Sequence, residues 1–412
     1  MSSQPIDSES QNQTKSSTNL ETLLWKRNLI FICIAQFFAM LGMSSVIPFM
    51  PLFVKELGIT SVSEANIWSG LVFAGPYFLS IITTPLWGAL GDKYGRKLMI
   101  VRAVFGLFLA VMLMGFVQNV YQLLFLRIFQ GAVSGMIAAA LAFVSANTPT
   151  EKSGYAIGIL QSSLSAGNII GPFAGGLISD FAGIRSVFYI VSLMTFIAGV
   201  LVVIFVKEIQ NPQLHSDENT IIKNLKYVYD NRGIRFILIL IVLSQAGINY
   251  TNPIFPFYVE SLHAPKELLS TITGSLLAVI GLMSIIFAPI WGKRGDRKDY
   301  KKTVQISSFI LALAAFAHVL VNNYLYLYPI RAVAGIFFAA VLPSLYSALN
   351  RLSPHDNKGG VMGIASSANL VGTLAGYVTC GYVASAFGLK STFIISGGLM
   401  LLVTIMIFQK RR

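Results

Sequence analysis

Trp87-Gly88-Ala89-Leu90-Gly91-Asp92-Lys93 is answered by Trp291-Gly292-Lys293-Arg294-Gly295-Asp296-Arg297, about 205 residues further along the chain. On either side of this pair the correspondence continues. Pro48-Phe49-Met50-Pro51-Leu52-Phe53-Val54 returns as Pro253-Ile254-Phe255-Pro256-Phe257-Tyr258-Val259, and Arg127 with Gly131 returns as Arg331 with Gly335. Gly167 and Gly171 return as Gly372 and Gly376, and Gly183-Ile184-Arg185-Ser186 returns as Gly388-Leu389-Lys390-Ser391. Order and spacing are kept. The repeated unit is too long for a solenoid module and is built of apolar spans, so it predicts two pseudo-symmetric halves with a site between them, the usual build of a secondary transporter.

Composition agrees. The chain is 55% hydrophobic and 11% charged, with a mean hydropathy of +0.69, which excludes an ordinary soluble domain. Twelve stretches are apolar over the roughly 20 residues a bilayer requires: 28–51, 67–90, 98–117, 121–143, 154–178, 185–206, 234–257, 268–291, 303–321, 325–347, 360–384 and 391–408. The expected architecture is an all-α membrane protein of two six-helix bundles. Residues 21–206 form the first bundle and 234–408 the second, with a cytosolic linker at 207–233, a disordered polar tail at 1–20 and a short tail at 409–412. The linker is expected to carry a short amphipathic helix near 221–229 on the membrane surface. Residues 1–20 have no apolar core, so they do not read as a signal peptide.

The net charge of +13 raises the question of nucleic acid, and its distribution answers it. Of the 30 Lys and Arg, 24 fall on one side, in or beside the tails and the even-numbered connections, four on the other side (Lys55, Arg185, Lys266, Lys390) and two deeper inside spans (Arg127, Arg331). This positive-inside asymmetry places both termini in the cytosol and accounts for the basic excess without a nucleic-acid partner. Cys33 and Cys380 lie inside spans and read as small buried apolar residues. No phosphate-binding Gly-Lys-Ser/Thr loop and no metal-spaced cluster is present, so no enzymatic reading, cofactor or metal is expected.

Three segments carry mechanism. The turn containing Gly88, Gly91, Asp92, Gly95, Arg96 and Lys97, half-repeated around Asp296, reads as a gating charge cluster; the alternative is a plain stop-transfer loop. Arg127, with Gln130 and Gly131, sits about 9 Å inside span four at 1.5 Å per residue. A cation at that depth is costly and points to function; the alternative is an arginine snorkelling to the helix end. In span five, Gly167, Gly171, Pro172, Gly175 and Gly176 provide small residues at four-residue spacing for close helix contact. The second half keeps Gly372, Gly376 and Gly381 but has Tyr377 where Pro172 stands.

In this order the three segments resemble the major facilitator superfamily over nearly the whole chain, and the Gly-Pro element of span five resembles the antiporter motif of its twelve-helix drug:proton branch. Trp25-Lys26-Arg27-Asn28, Pro48-Phe49-Met50-Pro51, Ile67-Trp68-Ser69-Gly70 and Gly95-Arg96-Lys97-Leu98 look most like bacterial multidrug exporters of that branch. The resemblance implies a monomeric inner-membrane antiporter, driven by a proton gradient and surrounded by lipid, that exports small amphipathic molecules. It assigns Arg127 and Gln130 to proton coupling and Asp92 to gating.

The chain departs from the drug-antiporter pattern in lacking a carboxylate deep in spans one, seven or ten. Substrates that are neutral, zwitterionic or anionic are therefore expected over purely cationic dyes, and the proton carrier is left open, with His318 as one titratable option. Gln161, Ser165 and Asn168 share one helical face, as do Gln245, Asn249 and Asn252. With Gln36 and Met40 they are the expected pocket wall; interhelical hydrogen bonding is the alternative for each polar stripe. Export of one endogenous metabolite such as a siderophore or organic acid, proton-coupled import, and a non-transporting sensor remain open as other functions.

Overall fold

The computed structural model describes residues 7–208, 226–297, 300–354 and 358–409, except for the side chains of 7–23, Asp92, Thr150, 292–297 and Lys358. All regular elements among them are helical. The first half contains α1 (Asp7–Ser45), α2 (Met50–Glu56), α3 (Val62–Tyr94), α4 (Arg96–Met114), α5 (Val120–Ala132), α6 (Met136–Asn147), α7 (Ser153–Ala182) and α8 (Ile184–Phe205). After α9 (226–230) the second half contains α10 (Arg232–Asn249), α11 (Phe255–Ser261), α12 (Leu269–Arg297), α13 (Tyr300–Leu320), α14 (Leu327–Leu352), α15 (Lys358–Phe387) and α16 (Leu389–Gln409). Helix α1 starts at Asp7, so regular backbone covers most of the stretch expected as a disordered tail; that stretch has no Gly or Pro after Pro5 to stop a helix. Of the expected linker helix only 226–230 falls among the described residues.

Among the described residues, eleven helical segments are long and apolar enough to cross a membrane. The twelfth, α7, has 30 residues, and its run is interrupted by Gln161, Ser162, Ser163, Ser165 and Asn168. The molecule is a multi-pass membrane protein. Alternating crossings bring both ends of the chain to one end of the bundle, here the near end; the short turns after α4, α7, α13 and α15 lie at the far end. Asn119 caps the start of α5 by accepting the Gln122 N–H at 2.9 Å, and Asn323 accepts the Leu325 N–H at 2.9 Å, so the turns that lead into α5 and toward α14 are closed by side-chain caps.

Span four differs from the continuous helix expected. It is two helices, α5 and α6, with Gly135 between them at φ +115, a conformation glycine adopts freely. The break frees carbonyls that neighbours satisfy: Thr83 Oγ1 donates to Gly131 O (3.3 Å), Trp87 Nε1 to Ala132 O (2.7 Å) and an Arg102 Nη to Ser134 O (2.8 Å). The repeat keeps part of this, with Trp291 Nε1 donating to Ile336 O at 2.7 Å and Ser284 Oγ to Gly335 O at 3.0 Å.

The buried apolar residues separate by half. One cluster runs from Trp25 to Val206, and two others lie within Val228–Ile407 and Tyr250–Phe393. Tyr377, from α15, is the second-half member of the first-half cluster. Between the halves α3 packs on α15 and α7 on α12. Lys55 Nζ and Glu260 Oε2 pair across the far end at 3.0 Å. These positions are 205 residues apart, so each is the repeat mate of the other. Mates meet only near a pseudo-twofold axis, which therefore passes through this ion pair.

Candidate functional site

The site is built around a proline and an arginine. Pro76, inside α3, has no N–H, so the carbonyl of Val72 loses its helical donor. Arg127 supplies the missing one: its Nε donates to Val72 O at 3.1 Å, and one Nη donates to Gln130 Oε1 at 2.9 Å. The approach is close on both sides. A Cβ on Gly75 would fall 2.9 Å from Arg127 Cβ, and one on Gly131 would overlap the Pro76 carbonyl. Arg127 is buried, so it does not snorkel to a helix end, and its guanidinium lies 5.9 Å from the Phe73 ring centre.

From Arg127 a polar chain crosses between the halves. Tyr77 and Tyr377 face each other edge to face at 5.6 Å between ring centres, and Tyr377 also meets Phe73 at 5.5 Å. Both tyrosines interact with Arg127. Asn252 Nδ2 lies 3.4 Å from the Tyr377 hydroxyl and 3.3 Å from Asn249 Oδ1. Asn249 Nδ2 in turn donates to Gln245 Oε1 (2.9 Å) and Gln245 O (3.1 Å). The arginine pair and the α10 stripe, expected from sequence as separate features, are thus joined by Tyr77, which sequence reading did not single out, and Tyr377, which it marked only as the replacement of a proline.

Helix α7 is packed on two sides. Added methyls at Gly167, Gly171 and Gly175 would strike α1 at Phe37–Leu41, Ser44 and Ser45, and Ser44 Oγ donates to Gly167 O at 3.0 Å. Its other side meets α12, where Gly274 abuts the Pro172 carbonyl and Gly176 the Ser270 carbonyl. The repeat gives the mirror contact: Gly70 sits under the Tyr377 carbonyl and Gly381 under Asn66 O, each at 2.7 Å from an added Cβ. Asp180, at the end of α7, caps α12 by accepting the N–H groups of Ser270 (3.2 Å) and Thr271 (2.7 Å). Its repeat mate Ser385 bonds to Ser63 near the start of α3. All these contacts lie from the far end to about mid-helix. Toward the near end, a Cβ on Gly88, Gly154, Gly158, Gly359 or Gly363 would meet nothing within 4 Å. Gln161 and Asn168 are exposed on α7 and Ser165 is half-buried; the structure does not join them to the α10 stripe. Gln36 and Met40 are buried in α1, and neither amide atom of Gln36 has a hydrogen-bond partner.

The family model described as Major Facilitator Superfamily matches residues 32–270 and 237–412. The chain belongs to this superfamily. Among curated proteins it is similar to the "Multidrug resistance protein MdtG" of Proteus mirabilis (strain HI4320), at 32% identity over 373 residues, 90% of this chain and 92% of that one. The protein of the same name from Salmonella typhimurium is 31% identical over 382 residues, 92% and 93% of the two chains. Among solved structures, a point mutant of the nucleoside transporter NupG superposes with a TM-score of 0.81 at 13% identity, covering 93% of this chain and 100% of that one. That likeness concerns the fold. The protein is a facilitator-superfamily transporter and not an enzyme.

The turn expected to gate this transporter ties the first half together. Gly95, at φ +101, joins α3 to α4. Glu208, beyond α8, caps α4 by accepting the N–H groups of Arg96 (2.9 Å) and Lys97 (3.2 Å). An Arg96 Nη donates to Ala142 O at 2.9 Å, and Gly91 packs on Met99. The side chains of Asp92 and Asp296 lie outside the described residues. Cys33 and Cys380 are free and buried. Sequence reading missed Glu208 and Asp180, because each caps a helix remote from it in the chain.

Proposed function

We propose that this transporter exports small amphipathic molecules by proton antiport, as a multidrug efflux protein of a bacterial cytoplasmic membrane. The carrying observation is the α7 Gly-Pro element standing between α1 and α12, with Pro172 and Gly176 on the contact between the halves. The name of its relatives supports the reading. The two halves rock about the pseudo-twofold axis, and the arrangement described here has its far gate closed. With the near end toward the cytosol, as the distribution of Lys and Arg favours, this is the inward-facing state. Asp180, the Lys55–Glu260 pair and Ser63–Ser385 hold that gate, and Arg127 with Gln130 couples it to protons through Tyr77 and Tyr377. The described acids nearest the interface, Glu64, Asp180 and Glu260, stand at far-end helix termini, so the wall between the halves favours neutral, zwitterionic or anionic substrates.

Transport in proteoliposomes under an imposed pH gradient, with a panel of cationic, zwitterionic and carboxylate compounds, tests this. Substrate moving against the proton flow, lost in Arg127→Ala, is the expected result. Co-directional movement would make the protein a symporter, and gradient-independent movement would remove the proton role.

A further inference from the structure

A second polar site lies within the second half, where Asn249 and Asn252 join it to the polar chain that crosses between the halves. A cavity of about 200 Å³ is walled by α10, α12, α13, α14 and α16, with Leu277 and Phe338 among its apolar lining and Asn249, Asn252, His318 and Arg331 as polar groups. Arg331 is the repeat mate of Arg127, but its circumstances differ. The position matching Pro76 is Ile280, which keeps its N–H, so α12 frees no carbonyl for it. Its guanidinium instead lies flat on Phe255, 3.7 Å from the ring centre, and its Nε has no hydrogen-bond partner. Among the described residues the ion pair found is Lys55–Glu260, so Arg331 has no carboxylate. Arg331 is 6% exposed and His318 4%.

The chemistry of His318 is fixed by its neighbours. Nδ1 lies 2.7 Å from the Ala314 carbonyl, which only accepts, so Nδ1 carries the proton. The ring stacks on Phe393 at 4.8 Å and 12°. Nε2 is then a lone-pair acceptor, buried and without a donor. Two buried groups of opposite demand, a cation lacking an anion and an acceptor lacking a donor, line one cavity, and leaving either unmet is costly.

We propose that this cavity binds a small organic acid whose carboxylate pairs with Arg331 and whose hydroxyl or N–H donates to His318 Nε2. The size fits: a cavity of about 150 Å³ takes up benzene, so one of about 200 Å³ holds a ring bearing two small substituents. The apolar lining accepts the ring. The site stands independently of the transport direction proposed above.

Calorimetric titration of the purified full-length protein with benzoate, 3-hydroxybenzoate, 3-methylbenzoate and benzamide tests it without any transport measurement. The 3-hydroxy acid should bind at one site about fivefold more tightly than benzoate and 3-methylbenzoate, the worth of one neutral hydrogen bond. Benzamide, uncharged and of the same shape, should bind tenfold or more weakly than benzoate. Arg331→Gln should erase the preference for benzoate over benzamide, and His318→Phe, which keeps the ring, should erase the preference for the hydroxyl. If neither variant folds, the ranking in the wild-type protein decides. Equal binding of benzoate and benzamide, or no saturable binding, overturns the site. Equal binding of benzoate and its 3-hydroxy derivative overturns the role of His318, and a charge preference surviving in Arg331→Gln places the acid elsewhere.

Discussion

At the residue scale, Arg127 has two separable jobs. It satisfies the Val72 carbonyl left open by Pro76, and its charge lies within electrostatic reach of the tyrosine pair that bridges the halves. Arg127→Ala should cost about 1–3 kcal/mol of stability through the orphaned carbonyl, read as a lower melting temperature in detergent. Adding Pro76→Ala returns a helical N–H to that carbonyl and should recover much of the loss, yet proton-driven transport should stay absent. Recovery of transport in the double variant would reduce Arg127 to a helix prop. Glu208→Ala, which removes the cap of α4, should destabilise by about 1–2 kcal/mol without changing the direction of transport. Sequence showed Arg127 because a cation inside an apolar span is a local anomaly. It did not show Tyr77, which looks like an ordinary span aromatic until the halves are docked, and it showed Tyr377 only as the residue in the place of Pro172.

At the element scale, α7 and α15 are repeat mates doing unequal work. Where α7 has Pro172 against Gly274, α15 has Tyr377, whose carbonyl covers Gly70 while its ring enters the first-half core. Read as sequence, Tyr377 is a lost proline; read in the fold, it is an added plug. Gly176→Val and Gly381→Val would each thrust a side chain into the backbone of the facing helix, so either should prevent the far end from closing. Labelling of a cysteine placed at Tyr155, exposed near the start of α7, should then fall as the near end shuts; unchanged labelling would mean that closure does not use these contacts. The spans and the glycine faces were legible because hydropathy and small-residue spacing are local properties. The break between α5 and α6 was not, since Thr83, Trp87 and Arg102 stabilise it from other helices.

For the whole molecule, duplication supplies two rigid bodies and the differences between copies supply the function. The repeat alone foretold two pseudo-symmetric halves. It did not foretell which end is closed, because Asp180 reaches α12 across 90 residues or more of sequence and Lys55 meets its own repeat mate. Ion pairs that keep solvent contact, as the half-buried Lys55–Glu260 pair does, are worth roughly 0.2–1 kcal/mol, so Lys55→Gln should shift the balance of the two states by only a few-fold, whereas Asp180→Asn, which weakens a charge-assisted cap, should shift it more. Distances between spin labels test the rocking motion most directly. One pair would replace Ser63 and Ser385 at the far end, the other Tyr155 and Ile290 toward the near end. When substrate and pH are varied, the far pair should lengthen in the same fraction of molecules in which the near pair shortens. Distances that stay fixed, or that lengthen together at both ends, would contradict transport by rocking of the two halves.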